Sequence, residues 1–287
     1  MVRLSSVTDG ARTPLYAKCE FMNPGGSIKD RIGLAMLEAA ERDGSLKPGG
    51  TIVEATGGNT GLALAMAASI KGYRCICAMP DKMSTEKAKL LRAFGAEVII
   101  TPTAVPPDHP DHYLQQARSI AAETPGAVMA DQFYNKANPD AHHDTTGREI
   151  WEQSDGRVTH FVASAGTGGT ITGVSRYLKA KNPSVRIIGI DPEGSMIAPF
   201  FNTGEMVEGR PYKVEGVGND KIPGALDLDT VDEYRTGEDG AAFRMARRLT
   251  REEGLFVGGS SGLLVNAAIA VAKELDDPDA FVVTLLP

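Results

Sequence analysis

Cysteine is scarce in this chain. Cys19, Cys75 and Cys77 are the only three in 287 residues, an odd set that fits no disulfide framework, and Cys75 and Cys77 flank Ile76 inside an apolar run typical of a buried strand. All three are expected in the core. Basic charge is also short, with 30 Lys and Arg against 37 Asp and Glu for a formal net charge of -7. A broad surface for phosphate backbones would have to work against that field, so no nucleic-acid partner is expected. The apolar stretch 62–68 falls far below the roughly 20 residues of a membrane span, and the N-terminus has no basic-then-apolar signal pattern. The expectation is a cytoplasmic protein without a membrane partner. Histidine offers no metal set: His109 and His112 lie in a Pro/Asp-rich loop, His142 and His143 are adjacent, and no Cys or carboxylate completes a site. No metal is expected, and these histidines read as solvated or capping.

What is present is ordinary globular composition, 42% hydrophobic and 23% charged, enough for one large or two modest domains. Apolar runs over 51–54, 74–79, 97–101, 128–131, 160–163, 186–190 and 281–286 predict strands, most of them buried and parallel. Helix-forming segments over 30–41, 59–71, 84–94 and 242–253 lie between them, the last strongly amphipathic. The pattern is α/β, with helices on the faces of open sheets. The Pro-rich stretch 101–110 reads as a surface loop. The irregular stretch 192–228 is the kind of segment that carries function.

Four Gly-rich turns stand out: Asn23-Pro24-Gly25-Gly26-Ser27-Ile28-Lys29-Asp30, Thr56-Gly57-Gly58-Asn59-Thr60-Gly61, Gly166-Thr167-Gly168-Gly169-Thr170 and Gly258-Gly259-Ser260-Ser261-Gly262. The last three follow an apolar run and precede a helix, which exposes unpaired backbone N–H groups at the positive end of a helix dipole and suits an anion. Taken singly, each also fits a plain tight connection. None is a Walker A loop, and the glycines at 166–169 do not complete a dinucleotide fingerprint, so ATP and NAD fit poorly. Ser260 and Ser261 with His160 lack a nucleophile-elbow sequence, so a hydrolase triad does not fit either. Lys29 opens a helix, where its charge opposes the dipole. It reads as a solvated lysine or, if desolvated, as a nucleophilic amine.

In combination and in this order, the motifs Asn-Pro-Gly-Gly-Ser-x-Lys-Asp-Arg, Gly-Asn-Thr-Gly, Gly-Thr-Gly-Gly-Thr and Gly-Gly-Ser-Ser-Gly resemble the fold-type II pyridoxal-phosphate enzymes, the β-replacement family of cysteine synthase and cystathionine β-synthase. The resemblance runs from Met1-Val2-Arg3-Leu4 to Leu285-Leu286-Pro287. It implies a tryptophan-synthase-β-like fold of two open, twisted α/β domains with mostly parallel sheets, the cofactor in the cleft between them, and a homodimer. Residues 21–135 would form the smaller domain, and residues 1–20 with 136–287 the larger.

Carried over by residue, the resemblance makes Lys29 the Schiff-base lysine and proton carrier for pyridoxal 5'-phosphate. Asn59 would bond the ring 3'-oxygen, and Gly166, Thr167, Gly168, Gly169 and Thr170 would hold the phosphate. Ser260 would face the pyridine nitrogen, a neutral partner that favours β-elimination to an aminoacrylate followed by thiol addition. Thr56, Gly57, Asn59, Thr60 and Gln132 would bind the substrate α-carboxylate, with Gly57 standing where the family commonly has Ser. The loop Glu215-Gly216-Val217-Gly218-Asn219-Asp220 resembles the acidic Glu-Gly-Ile-Gly-Tyr-Asp loop of the branch that condenses serine with homocysteine. Glu215 would assist loss of the serine hydroxyl, and Asp220 would line the substrate site.

Ala17-Lys18-Cys19-Glu20-Phe21, Asp191-Pro192-Glu193-Gly194-Ser195 and Ala141-His142-His143-Asp144-Thr145-Thr146 resemble the same branch, while Phe133 and Asn219 replace its tyrosines. The alternatives are the branch that combines O-acetylserine with sulfide and a non-catalytic protein that keeps the fold for binding. The haem-binding segment and the adenosyl-methionine module of animal-type relatives lie outside the matched stretch, so neither ligand is expected. The family's usual lead-in and closing segments are also missing, which would suit a truncated chain.

Overall fold

Short β-branched runs separated by good helix formers fold here as strand, crossover helix and parallel strand. The computed structural model describes residues 1–287. Along the chain lie β1 (Val2–Leu4), β2 (Leu15–Cys19), α1 (Lys29–Arg42), β3 (Thr51–Ala55), α2 (Asn59–Lys71), β4 (Arg74–Pro80), α3 (Thr85–Ala93) and β5 (Glu97–Thr101). Next come α4 (Tyr113–Glu123), β6 (Ala127–Met129), α5 (Ala137–Ala141), a π-helix over His142–Gly147, α6 (Arg148–Gln153), β7 (His160–Ser164) and α7 (Gly169–Lys181). The chain closes with β8 (Arg186–Pro192), α8 (Ile197–Thr203), β9 (Glu233–Gly237), α9 (Asp239–Glu252), α10 (Gly259–Leu275) and β10 (Val282–Leu286). Two units result, one of Asn23–Asn138 and one of Met1–Met22 with Pro139–Pro287.

The unit of Asn23–Asn138 holds a four-stranded, wholly parallel sheet in the order β5-β4-β3-β6. Every residue of β3 is buried, and in β4 only Arg74 is exposed, as expected of strands covered on both faces. The polar Glu54 is part of that buried run. α2 is apolar all round and is buried from Thr60 to Ala68 except at Met66. Ser84 caps α3 by accepting from the Lys87 amide. β5 departs from the expectation of burial: it pairs only with β4, and Ile99 and Ile100 on this edge are 38% and 48% exposed. β6 stops at Met129 because Asp131 turns the chain with φ 48°.

The unit of Met1–Met22 and Pro139–Pro287 holds a six-stranded sheet in the order β1-β2-β10-β7-β8-β9, parallel throughout except for the β1–β2 pair. The expected strands β7, β8 and β10 supply its centre, with Phe161, Val162, Ile187, Val282 and Val283 inaccessible to solvent. β1, β2 and β9 escape a reading of apolar runs because they are short or half polar, β9 being Glu-Tyr-Arg-Thr-Gly. α9 buries Ala242, Met245, Ala246 and Leu249, the spacing of one helical face. Cys75 and Cys77 are buried as expected, their sulfurs 3.9 Å apart, whereas Cys19 at the end of β2 is only half-buried. No helix is long and apolar enough to cross a membrane.

Candidate active site

In each unit one Gly-rich turn follows the carboxyl end of an inner parallel strand, where open α/β sheets bind ligands, whereas the 258–262 turn follows α9. β3 runs into the 56–60 turn and α2; β7 runs into the 166–170 loop and α7. α2, α7 and α10 start at the glycine N-caps Gly58, Gly168 and Gly258, none of which offers a side chain to the first helical amides. Their first amides are therefore available to a ligand, except that Gly169 N of α7 makes a long 3.5 Å bond to Thr167 Oγ1.

In the smaller unit Lys29 is the first residue of α1 and half-buried. Burial alone pushes its ammonium down to about 8, with no charged neighbour contributing. The Asp30 carboxylate turns back to accept from the Gly25 amide at 2.5 Å, placing negative charge beside the helix start that Lys29 would otherwise oppose. The 56–60 turn brings four expected residues together. Gly58 donates to Thr56 Oγ1 at 3.1 Å, and the buried Thr60 hydroxyl donates to Gln132 Oε1 at 2.6 Å. Asn59 is exposed at the start of α2. Gly57 is buried, and a Cβ there would lie 2.6 Å from Met79 Cγ and 2.7 Å from Met83 Cγ. Two thioether side chains thus fill the space where the Cβ of a serine would stand.

Gln132 leads to a residue that motif reading passed over. Its amide donates to Oε1 of Glu54 at 3.4 Å, and Glu54 is 2% exposed with Oε2 unpaired. Desolvation, reinforced by Asp131, pushes the Glu54 carboxyl up to about 8, so it is neutral at physiological pH. A carboxylate inside a run of otherwise apolar strand residues was the available signal.

In the larger unit Gly168 adopts φ 86°, and a Cβ there would strike Leu226. A Cβ at Gly166 would lie 2.5 Å from the Gly216 carbonyl oxygen, so the 215–220 loop rests directly on the 166–170 loop. Gly218 donates to Ala165 O at 2.7 Å and Asn219 Nδ2 to Gly166 O at 3.1 Å. Ser195 Oγ donates to Asn219 O at 3.0 Å and accepts from Asn219 N at 2.8 Å. Glu215 and Asp220 are exposed near the two ends of this fastened loop. Asp191 begins the segment carrying Ser195; its Oδ2 accepts from the Ala198 amide at 2.9 Å, and burial pushes its carboxyl up to about 6. Ser260 lies half-buried in the first turn of α10.

One histidine expectation holds and another needs revision. His112 does cap a helix, its ring accepting from Leu114 N. His142, expected to be solvated or capping, is instead 1% exposed and bonded to threonines, because the π-helix turns its ring inward.

The family described as Pyridoxal-phosphate dependent enzyme matches residues 1–287. The chain belongs to that family. Its members use pyridoxal phosphate, and the features above fit such a group: helix starts with no side-chain cap, a 166–168 loop whose packing against Gly216 and Leu226 admits only glycine, and a desolvated amine at Lys29. Among curated relatives, the chain is 50% identical over 287 residues to "Cystathionine beta-synthase" of Oryctolagus cuniculus, an overlap of 99% of this chain and 52% of that protein. Against "Cystathionine beta-synthase" of Apis mellifera it is 45% identical, with 99% of this chain and 56% of the relative covered. The chain thus spans about half the length of the curated relatives it matches. Among solved structures, that titled "Crystal structure of O-ureido-L-serine synthase" superposes with a TM-score of 0.90 at 38% identity, covering 100% of this chain and 87% of the other.

Proposed function

We propose that the chain performs pyridoxal-phosphate-dependent β-replacement, condensing L-serine with L-homocysteine to cystathionine and water. The observation that carries this reading is the acidic 215–220 loop seated on the 166–170 loop through Asn219 and Gly218. Relatives named "Cystathionine beta-synthase" at 50% and 45% identity support it. When bound, pyridoxal phosphate supplies an electron sink that labilises the Cα proton and the β-substituent of an amino acid.

The chain's own residues do the rest. Lys29 would hold the cofactor, and its Nζ, with a pKa of about 8, is partly a free amine near neutrality and can take and return the Cα proton. The amides of the α7 start and the hydroxyls of Thr167 and Thr170 would hold the phosphate, Asn59 the 3'-oxygen and Ser260 the ring nitrogen. A neutral hydroxyl at Ser260 leaves that nitrogen without a carboxylate to keep it protonated. At the α-carboxylate subsite, Thr60 spends its proton on Gln132, so the substrate would be bound by the first amides of α2 at Asn59 and Thr60, beside Thr56 and Gly57, and by the second N–H of the Gln132 amide, whose first is turned to Glu54. Glu215 would deliver the proton that lets the serine hydroxyl leave as water, and Asp220 would line the substrate site. A cytoplasmic location and a homodimer belong to the same proposal. Three unpaired cysteines support a reducing compartment.

The test is kcat/KM on the cofactor-loaded chain for L-serine with L-homocysteine and for O-acetylserine with sulfide. Glu215→Gln should lower serine turnover about a hundredfold, the scale of a lost general acid, while sparing an ester with a good leaving group. Full serine turnover in that variant would remove Glu215 from the mechanism. The second reading, replacement on an O-substituted serine, is favoured by the likeness to O-ureido-L-serine synthase and would be established if only the ester reacted.

A further inference from the structure

The ring of His142 joins hydroxyls from two elements. Nδ1 lies 2.9 Å from Thr146 Oγ1, four residues on in the same π-helix, and Nε2 lies 3.1 Å from Thr170 Oγ1 in the first turn of α7. His142 and Thr146 are 1% and 0% exposed, so water does not compete for the bond between them, while Thr170 is half-buried. Tight packing holds the two elements at this separation: a Cβ at Gly173 would collide with the Pro139 carbonyl oxygen and lie 2.8 Å from His142 Cβ. Single π-turns inside helical runs often occur at functional sites, and this one puts a histidine where an α-helix of the same sequence would not.

We propose that His142 is a positioning residue that aims the Thr170 hydroxyl at the cofactor phosphate. This deepens the reading above and rests on it. A neutral imidazole has one donor and one acceptor nitrogen. With the proton on Nδ1, Nε2 would accept the Thr170 hydroxyl proton, and Thr170 would turn only lone pairs toward an anion. With the proton on Nε2, the ring donates to Thr170 Oγ1, the Thr146 hydroxyl donates to Nδ1, and Thr170 keeps its proton for a phosphate oxygen. A phosphate at the start of α7 selects this second arrangement, because a hydroxyl that donates to an anion forms a charge-assisted bond. The relay then runs one way, from Thr146 through His142 to Thr170.

The experiment uses the full chain loaded with pyridoxal 5'-phosphate, with 15N-labelled histidine to read the tautomer and the 31P resonance of the bound cofactor to read the phosphate environment. The wild type should show His142 protonated at Nε2. His142→Ala and Thr170→Val should each weaken cofactor binding about tenfold or more, as expected for a lost hydrogen bond to a charged group, and shift the 31P resonance. The double variant should bind no more weakly than either single one. His142→Gln, whose amide nitrogen replaces Nε2, should recover much of the affinity. Thr146→Val leaves the histidine in place and should lower the Nε2–H population, so a misfolded alanine variant does not decide the matter. An Nδ1–H tautomer in the loaded protein, an unmoved 31P resonance in His142→Ala, or additive losses would overturn the relay alone. A wild-type chain that takes up no cofactor would overturn the relay and the functional reading together.

Discussion

The side-chain amide of Asn219 donates to the carbonyl oxygen of Gly166 at 3.1 Å, so the acidic 215–220 loop is fastened to the loop that opens α7. Ser195 holds the backbone of Asn219 from the other side with two bonds of 3.0 and 2.8 Å. The resemblance puts tyrosine at this position, where a ring would address the second substrate. Asn219 instead spends its side chain on the 166–170 loop.

Asn219→Ala should therefore affect two ligands at once. Losing one neutral hydrogen bond costs about 1 kcal/mol, so cofactor dissociation constant and thiol KM should each rise about fivefold. Equilibrium dialysis with pyridoxal phosphate and initial-rate kinetics check this; a change in one parameter alone would show that the loops are not coupled.

Gly57→Ser should destabilise the chain, because the new Cβ meets Met79 Cγ at 2.6 Å and Met83 Cγ at 2.7 Å. Overpacking of this kind costs about 1–3 kcal/mol, less the relief from flexible methionines. Gly57→Ser with Met83→Ala should recover part of the melting temperature, the contact with Met79 remaining, and lower the serine KM, since the hydroxyl then has more room beside the carboxylate subsite. Thermal melts and kinetics of both variants test this.

Burial keeps Glu54 protonated up to about 8, whereas the unfolded chain releases that proton near 4.5. As pH rises between those values the unfolded state binds fewer protons than the native one, so stability falls with pH. Glu54→Gln mimics the neutral acid and removes this slope. Its melting temperature should match the wild type near pH 5 and exceed it by a widening margin toward pH 8. Asp131 and Cys77 face the same carboxyl, and a parallel profile for wild type and variant would place the slope on other groups.

Lys29 has the opposite sign. Its folded pKa of about 8 lies below the ordinary 10.5, so the cofactor-free native state carries a burial penalty at neutral pH that fades as pH rises from about 8 to 10.5. The cofactor-free Lys29→Met variant should melt above the wild type at pH 7, with the gap closing by pH 10. Borohydride reduction after incubation with pyridoxal phosphate should label the wild type at Lys29 and leave the variant unlabelled; a persisting adduct would move the lysine assignment elsewhere.

Much of the fold was legible because its determinants are local. The 97–101 and 59–71 segments have the observed limits of β5 and α2, the first from β-branched residues and the second from an Ala/Leu run bounded by Asn59 and Gly72. α9 began one turn earlier than its apolar face indicated, since Asp239 and Gly240 carry no apolar signal. β9 was invisible for a related reason: a strand that is half polar is recognised only through its pairing with β8.

The sequence alone determined the α/β alternation, the four Gly-rich turns and the residue types that match the family, because hydrophobic periodicity and turn chemistry act over a few neighbouring residues. Only the tertiary structure decided that Glu54 is neutral, that Met79 and Met83 fill the space at Gly57, that His142 links Thr146 to Thr170, and that Asn219 grips Gly166. Each depends on desolvation or contact between residues 22 to 78 positions apart, or, for Thr146 and His142, on a π-turn replacing an α-turn. Burial and contact geometry are properties of the packed chain, and no local pattern encodes them.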